Sequence, residues 1–264
     1  MSLWLALKDP HYEARYAEKP VRRGMESWPR TAVDLGDIPR SFLRRMVDLL
    51  RREPDAIPVT DEHGGVGAEQ IRRLPRAVFV PRGCWGAPKA SQTSQTLLYC
   101  DDRGLHLIRE AEGGHNRLIH RLLPYSRMQR IERGQVLLHS WLVIEDQTEA
   151  ETVEFNSAAE SVLLPVIRHV RLEAFGVEIA DKRHRSGLDL RRLDPRIDLK
   201  FANYARQSLG TGEQVVTFSY LPGSPSHLRK LIILTDREVI EIREEDFPYT
   251  KFGSHGGVWS YIAV

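Results

Sequence analysis

Along the chain the hydrophobic and polar positions change period twice. Residues 1–40 show little period, and Pro10, Pro20, Pro29 and Pro39 interrupt any long helix there. In "SFLRRMVDLLRRE", 41–53, Phe42, Met46, Leu49 and Leu50 share one helical face, with Arg44, Arg45, Asp48, Arg51 and Arg52 elsewhere. Pro54 ends this amphipathic helix. "TDEHGGVGAEQ", 60–70, reads as a loop by its Gly and Asp content, and "AEQIRRL" as a brief helix beside it.

From Ala77 the period shortens to that of strands. "AVFV", "TLLYC", "GLHLIRE", "RLIHRLLPY", "MQRIERG", "VLLHSWLVIED" and "ETVEFN" are short apolar or alternating runs separated by turn residues. That spacing predicts a compact antiparallel sheet, sandwich or barrel. "DDRG" between the second and third runs is a hairpin signal, with Gly104 free to take a left-handed conformation. The period then lengthens again. "NSAAESVLLPVIRHVRLEAFG", 156–176, carries Val162, Leu163, Val166, Ile167 and Val170 at helical spacing, behind a Ser157–Glu160 capping box. Its flaw is Pro165, which bends the helix or delays its regular part. A charged connector follows. "DLKFANYARQSL", 198–209, predicts a further helix with Phe201, Tyr204 and Ala205 on one side, stopped by Gly210 and Gly212.

One pattern occurs twice. "TLLYCDDRGLHLIRE", 96–110, and "KLIILTDREVIEIRE", 230–244, share Leu97 with Leu231, Asp102 with Asp236, Arg103 with Arg237, and Ile108-Arg109-Glu110 with Ile242-Arg243-Glu244. "AVFVPRG" precedes the first as "VVTFSYLPG" precedes the second. A glycine-bearing loop and an apolar strand follow each, "RLLPY" and "WSYIAV". Agreement in order over three elements predicts a tandem repeat.

These hairpins, with "LLPYSRMQRIE", "WLVI", "VEFN" and the helix after them, resemble the bacterial pleckstrin-homology-like (PH-like) domains. The resemblance covers about 77–175 well and 207–264 in part. It implies a mainly β, α+β fold, a strongly bent antiparallel sheet or partly open barrel of about seven strands with a C-terminal helix over one open end. It also implies binding and scaffolding rather than a shared catalytic apparatus. The expected organisation is an irregular or helical segment at 1–70, a PH-like domain at 71–176, a charged linker with a short helix at 177–206, and a partial second PH-like domain at 207–264. The second unit, stopping near the middle, is expected to need strands from another subunit or from the N-terminal segment, or to use its open edge for pairing.

Composition adds little: 41% hydrophobic, 28% charged and a net charge of +2 fit a globular chain and do not by themselves call for nucleic acid. The charge is uneven, however. "KRHRSGLDLRRLDPRIDLK", 182–200, holds seven Lys or Arg against three Asp. Arg44, Arg45, Arg51, Arg52, Lys182, Arg183, Arg185, Arg191 and Arg192 are therefore the candidates for contact with an anionic surface. Two cysteines, Cys84 and Cys100, make no disulfide framework and point to the cytoplasm. No apolar run has the length of a membrane span or a signal peptide.

No phosphate loop, dinucleotide fingerprint or nucleophile elbow occurs, so no catalytic, cofactor or metal residue is assigned. The histidines are the best raw material for chemistry. His115 and His120 are five apart, His106 and His120 are expected to neighbour each other across strands, and with His139 on the next apolar segment three imidazoles and Cys100 are the candidate ligands of a zinc-dependent hydrolase. Satisfied core or surface histidines explain the same pattern. The leading expectation is a non-enzymatic binding or scaffold protein that contacts a protein partner or itself. The alternatives are a peripheral adaptor on anionic membrane and the metal hydrolase.

Overall fold

The computed structural model describes residues 29–31, 39–51, 77–81, 94–111, 117–136, 139–179, 190–224, 227–245 and 256–264. Most of 1–70, with the expected loop at 60–70 and the "AEQIRRL" helix, lies outside them, as does 180–189 of the connector. The chain divides into two compact units, 1–123 with 158–163, and 124–157 with 164–264.

The first unit carries β1 (Arg30–Thr31), β2 (Val78–Val80), β3 (Thr96–Cys100), β4 (Gly104–Glu110) and β5 (Leu118–Pro124), neighbours in that order in one sheet. Helix α1 (Arg40–Arg51) is the predicted amphipathic helix. Its Phe42 and Met46, one turn apart, enter a core with Ala77, Phe79, Leu97, Tyr99 and Ile108, and Leu49 and Leu118 close the margin. The Phe42 and Phe79 rings meet edge to face, 5.6 Å apart. Each buried side chain of this size contributes about 1.5–3 kcal/mol, which sets the helix on the sheet. The core-packing reading of the apolar stripe therefore holds for Phe42 and Met46.

The second unit contains β6 (Met128–Val136), β7 (His139–Asp146), β8 (Ala150–Asn156), α2 (Glu160–Phe175), whose first turn belongs to the first unit, α3 (Leu190–Leu193), α4 (Leu199–Ser208), β9 (Val215–Leu221), β10 (Lys230–Thr235), β11 (Glu238–Glu245) and β12 (Gly256–Ala263). Its seven strands form one open antiparallel sheet in the order β8-β7-β6-β12-β11-β10-β9. Helix α2 runs through Pro165, whose exposed ring faces away from buried Leu163, Val166, Ile167 and Val170. Helix α4 starts as its sequence predicts. Asp198 caps it by accepting from the Phe201 amide at 2.9 Å, and Phe201, Ala202, Ala205 and Ser208 are buried.

Strand β12 departs from expectation. The sequence leaves its outer edge open, awaiting another subunit or the N-terminal segment. Instead β12 pairs with β6, from Gly256 opposite Val136 to Ile262 opposite Arg130. Unpaired backbone groups along a strand favour any neighbour of matching length, and β6 supplies one from within the chain. The unit boundaries accordingly cut through the expected 71–176 domain, and the 207–264 segment shares its sheet with β6–β8. A glycine makes the approach close. A Cβ on Gly256 would lie 2.5 Å from the Gln135 carbonyl oxygen, a backbone atom no rotamer can move. Gly256→Ala is expected to destabilise the second unit by about 1–3 kcal/mol in urea unfolding.

The two predicted hairpins pair at equivalent positions. Leu97 faces Ile108 as Leu231 faces Ile242, and Tyr99 faces His106 as Ile233 faces Ile240. Phe79 faces Leu97 as Tyr220 faces Leu231. The Gln95 amide donates to Glu110 Oε2 at 3.4 Å, and the Arg229 amide to Glu244 Oε2 at 3.3 Å. The turns are built alike, without a left-handed glycine at 104. Among the described glycines only Gly176 and Gly212 have positive φ, 67° and 72°. Asp101 Oδ1 instead accepts from the amides of Arg103 and Gly104, and Thr235 Oγ1 accepts from those of Arg237 and Glu238. A short polar side chain thus closes each turn by bonding its own backbone.

Candidate functional site

Alternation along β4 places His106 on the same face as Tyr99, its partner across β3. His106 is fully buried, and Tyr99 stacks on its ring at 4.3 Å. Both imidazole nitrogens are engaged. Nε2 lies 2.8 Å from Asp101 Oδ2, and Nδ1 lies 3.0 Å from Nε2 of His120 on β5. Arg103 also grips Asp101 Oδ2 at 2.8 Å. The result is a chain of carboxylate, imidazole and imidazole running from the hairpin turn toward a half-buried His120.

The charges follow from this geometry. Burial opposes ionisation of Asp101, but the hydrogen bonds from His106 and Arg103 outweigh it and hold its carboxyl well below the usual range. Burial, then the charges of His106, Arg45 and Arg103, lower His120 from 6.5 to about 4. His120 is therefore a neutral imidazole at physiological pH, able to accept or relay a proton.

The predicted neighbourhood of His106 and His120 is present, and Cys100 does not join it. Cys100 sits next to Tyr99 on β3, so its side chain falls on the opposite sheet face, across from Leu105. His115 lies outside the described residues. His139 belongs to the second unit, 5.5 Å from the Trp141 ring. Among the described residues no three His, Cys, Asp or Glu side chains converge as metal ligands. The sequence signal for the buried histidine was its place between Leu105 and Leu107. Only the fold supplied Asp101 as its acceptor.

Two buried charged clusters in the second unit escape sequence reading. Arg171 on α2 is 1% exposed and Glu238 at the start of β11 is 0% exposed. The guanidinium holds both carboxylate oxygens, donates to the Ser208 carbonyl at 2.8 Å at the end of α4, and lies 3.7 Å over the Tyr261 ring. Burial pushes the Glu238 carboxyl up to about 7, against the pull of Arg171. The available signal was a charge inside an apolar helical stripe, one residue after Val170. The second cluster centres on Glu132 of β6. It accepts from Arg130, from Arg243 at 3.2 Å, from Ser260 Oγ at 3.0 Å and from Trp141 Nε1 at 3.3 Å. Burial opposes its charge, but Arg243 foremost keeps its carboxyl below the ordinary value. Both clusters tie elements of the second unit together.

The anionic-surface candidates are described only in part. Arg44 and Arg45 lie on α1, exposed and half-buried, and Arg51 is the last residue of that helix. Arg191 and Arg192 are exposed on α3. Arg52, Lys182, Arg183 and Arg185 lie outside the described residues. No described helix is long and apolar enough to cross a membrane.

The sheet edges of the second unit differ sharply. Strand β8, at one end, reads "AETVEFN" and carries Glu151 and Glu154. Strand β9, at the other, reads "VVTFSYL", with neither charge nor proline, and pairs only with β10 among the described residues. Its Val216 and Leu221 are 65% and 52% exposed. Comparison with protein-family models, curated proteins and solved structures finds no match, so these local geometries are what any account of function must be built from.

Proposed function

We propose that this chain is a non-enzymatic binding or scaffold protein of PH-like architecture that recruits an extended segment of a partner, or of a second copy, to strand β9. The observation that carries the reading is an edge with neither charge nor proline, paired regularly with β10 from Thr217 to Leu221 and irregular only at Val216 near its start. Edge strands are ordinarily protected by charge, proline or a bulge, because their free N–H and C=O groups template further pairing. Strand β8 has its glutamates. Strand β9 has seven uncharged residues of high strand propensity. Addition of a strand there satisfies backbone groups, and Val216 and Leu221 supply side-chain contact.

The architecture is supported by the hairpins. Two stretches with matching registers, the same Glu-to-amide bond and turns closed by the same device are what a duplicated module leaves behind. Seven antiparallel strands in one sheet of the second unit support the PH-like reading, although they are drawn from both stretches of the sequence.

Val216→Lys with Ser219→Lys tests the edge. The native chain is expected to self-associate with rising concentration, or to retain a host protein in a pull-down, and the double variant to lose that contact while keeping its melting temperature. A native chain that does neither, or a variant that binds unchanged, removes β9 as the recruiting edge.

A further inference from the structure

Arg45 stands where an amphipathic helix ordinarily places an apolar residue. Phe42, Met46 and Leu49 form the face of α1 that meets the first sheet, and position 45 falls in the same stripe by helical spacing. Its side chain is half-buried, and its Nε is shut off from solvent without a hydrogen-bond partner. Among the described residues no carboxylate pairs with it, Asp48 one turn along α1 included. A buried cationic donor left unsatisfied is costly, and native proteins ordinarily give such a group an acceptor.

The core under α1 leads directly to the histidine chain. Tyr99 belongs to that core and stacks on His106. Leu118 closes its margin, and alternation along β5 puts His120 on the same side as Leu118. The charged groups bearing on His120 are Arg45 of α1, Asp101 and Arg103 of the turn, and His106 of β4. The tautomers follow from Asp101. Its carboxylate only accepts, so His106 Nε2 donates to it. Nδ1 of a neutral His106 then accepts from His120 Nε2–H, which leaves a lone pair on His120 Nδ1. A proton added to the two rings ends as Nδ1–H of His120, whether the charge rests there or passes inward to His106. That nitrogen has no partner among the described residues.

We propose that Arg45 and His120 are the two halves of a site for the phosphoryl group of a soluble phosphate monoester, with Arg45 donating from its paired N–H groups and His120 from Nδ1 once it has taken up a proton. Arginine meets phosphoryl oxygens two at a time. A carboxylate gripped in that way has both oxygens engaged, whereas a phosphoryl group keeps a third for an imidazole on another element. The charges agree. Asp101 is already matched by Arg103 and His106, so Arg45 and the proton of His120 answer the nearly two charges of a monoester. A half-buried arginine in a core-facing stripe is within reach of a small soluble group rather than of a flat membrane. The site uses no residue of β9, so it and strand recruitment stand or fall separately.

The test is titration calorimetry of the whole chain with glycerol phosphate and with sulfate, at pH 7 and pH 5, at one ionic strength set with chloride. Sulfate is a tetrahedral stand-in whose charge is constant over this range, so a change in its affinity reports the protein. His120 titrates at about 4 in the free chain, and a docked anion raises it. Affinity for sulfate is therefore expected to rise as pH falls, with proton uptake seen as a binding heat that changes with the buffer's ionisation enthalpy. Arg45→Gln is expected to weaken binding on the order of tenfold at both pH values. Arg45→Lys is expected to fall between, since an ammonium keeps the charge without the paired donors. His120→Gln is expected to abolish the pH dependence and the proton uptake. Arg44→Gln, at the exposed neighbouring position, is expected to bind as the native chain does. Unchanged melting temperatures would show that the variants fold. Failure of both anions to bind at either pH overturns the inference, as does binding that Arg45→Gln leaves unchanged or that does not strengthen toward pH 5. Acetate that binds as tightly as sulfate overturns the phosphoryl assignment. Retention on phosphatidic acid vesicles that glycerol phosphate does not reverse overturns the soluble source.

Discussion

Glu238→Leu is expected to destabilise the second unit by about 3–5 kcal/mol, because it leaves a buried cation without its carboxylate. That corresponds to roughly 10 °C in melting temperature. Arg171 cannot shed its proton, and the Ser208 carbonyl and Tyr261 ring it retains do not replace an anion. Arg171→Met is expected to cost less, since the Glu238 left behind can protonate. The double variant Arg171→Met, Glu238→Leu is expected to recover much of the loss, as apolar replacements of buried ion pairs do. Urea unfolding of the three variants measures the asymmetry. A smaller cost for Glu238→Leu than for Arg171→Met would contradict it. The pH response has a definite sign. The folded Glu238 carboxyl, at about 7, lies above its ordinary 4.5. Its contribution is therefore fully present below about 4.5 and is lost as pH rises toward 7.

Asp101→Ala is expected to cost about 2–3 kcal/mol in the first unit, because one carboxylate serves His106, Arg103 and two turn amides. Here the pH response runs the other way. His120 titrates in the fold at about 4, below its ordinary 6.5. Stability from its neutral form is complete above about 6.5 and is lost as pH falls toward 4. Asp101, also depressed, withdraws its share only below the ordinary carboxylate value of 3.8. Because His120 is partly exposed, its share is about 1 kcal/mol after allowing for solvent screening. Hydrogen exchange resolved by residue, run between pH 7 and pH 5, is expected to show β3–β5 losing protection relative to β10–β12. His120→Gln is expected to flatten the response of β3–β5. An equal response in the two sheets would rule out this distribution of buried charge.

The opposite signs have a common origin in the hairpin turn. In the first hairpin an acid, Asp101, closes the turn, and a glycine follows at the start of β4. In the second a neutral hydroxyl, Thr235, closes it, and the acid has moved to Glu238 at the start of β11. From its half-buried place in the turn Asp101 serves a histidine, whereas Glu238 is fully buried and requires Arg171. Fifteen aligned residues with similar backbones therefore hold two different electrostatic devices.

Local pattern was enough for the elements themselves. The alternation of "HSWLVIED" and "EVIEIREE", the 3.6-residue stripe of α1 and the Asp198 cap of α4 depend on neighbours a few residues away, and the sequence states those neighbours directly. That each stretch folds as a hairpin was legible for the same reason, but the turn chemistry was not, since Asp101 closes the first turn where a left-handed Gly104 was expected. Pairing of β12 with β6 was not legible. The two strands are separated by more than a hundred residues, and their match depends on edge length, a glycine's missing side chain and the strands already placed between β9 and β12. The buried Arg171–Glu238 pair and the Asp101–His106–His120 chain were hidden likewise, because a charge in an apolar stripe looks unsatisfied until the fold brings its partner. The sequence by itself determined which segments become strands and helices and that two of its hairpins share one residue pattern. Only the tertiary structure decided which strands complete which sheet, and which strands are left at its edges, because those outcomes depend on backbone hydrogen bonds between residues distant in the chain.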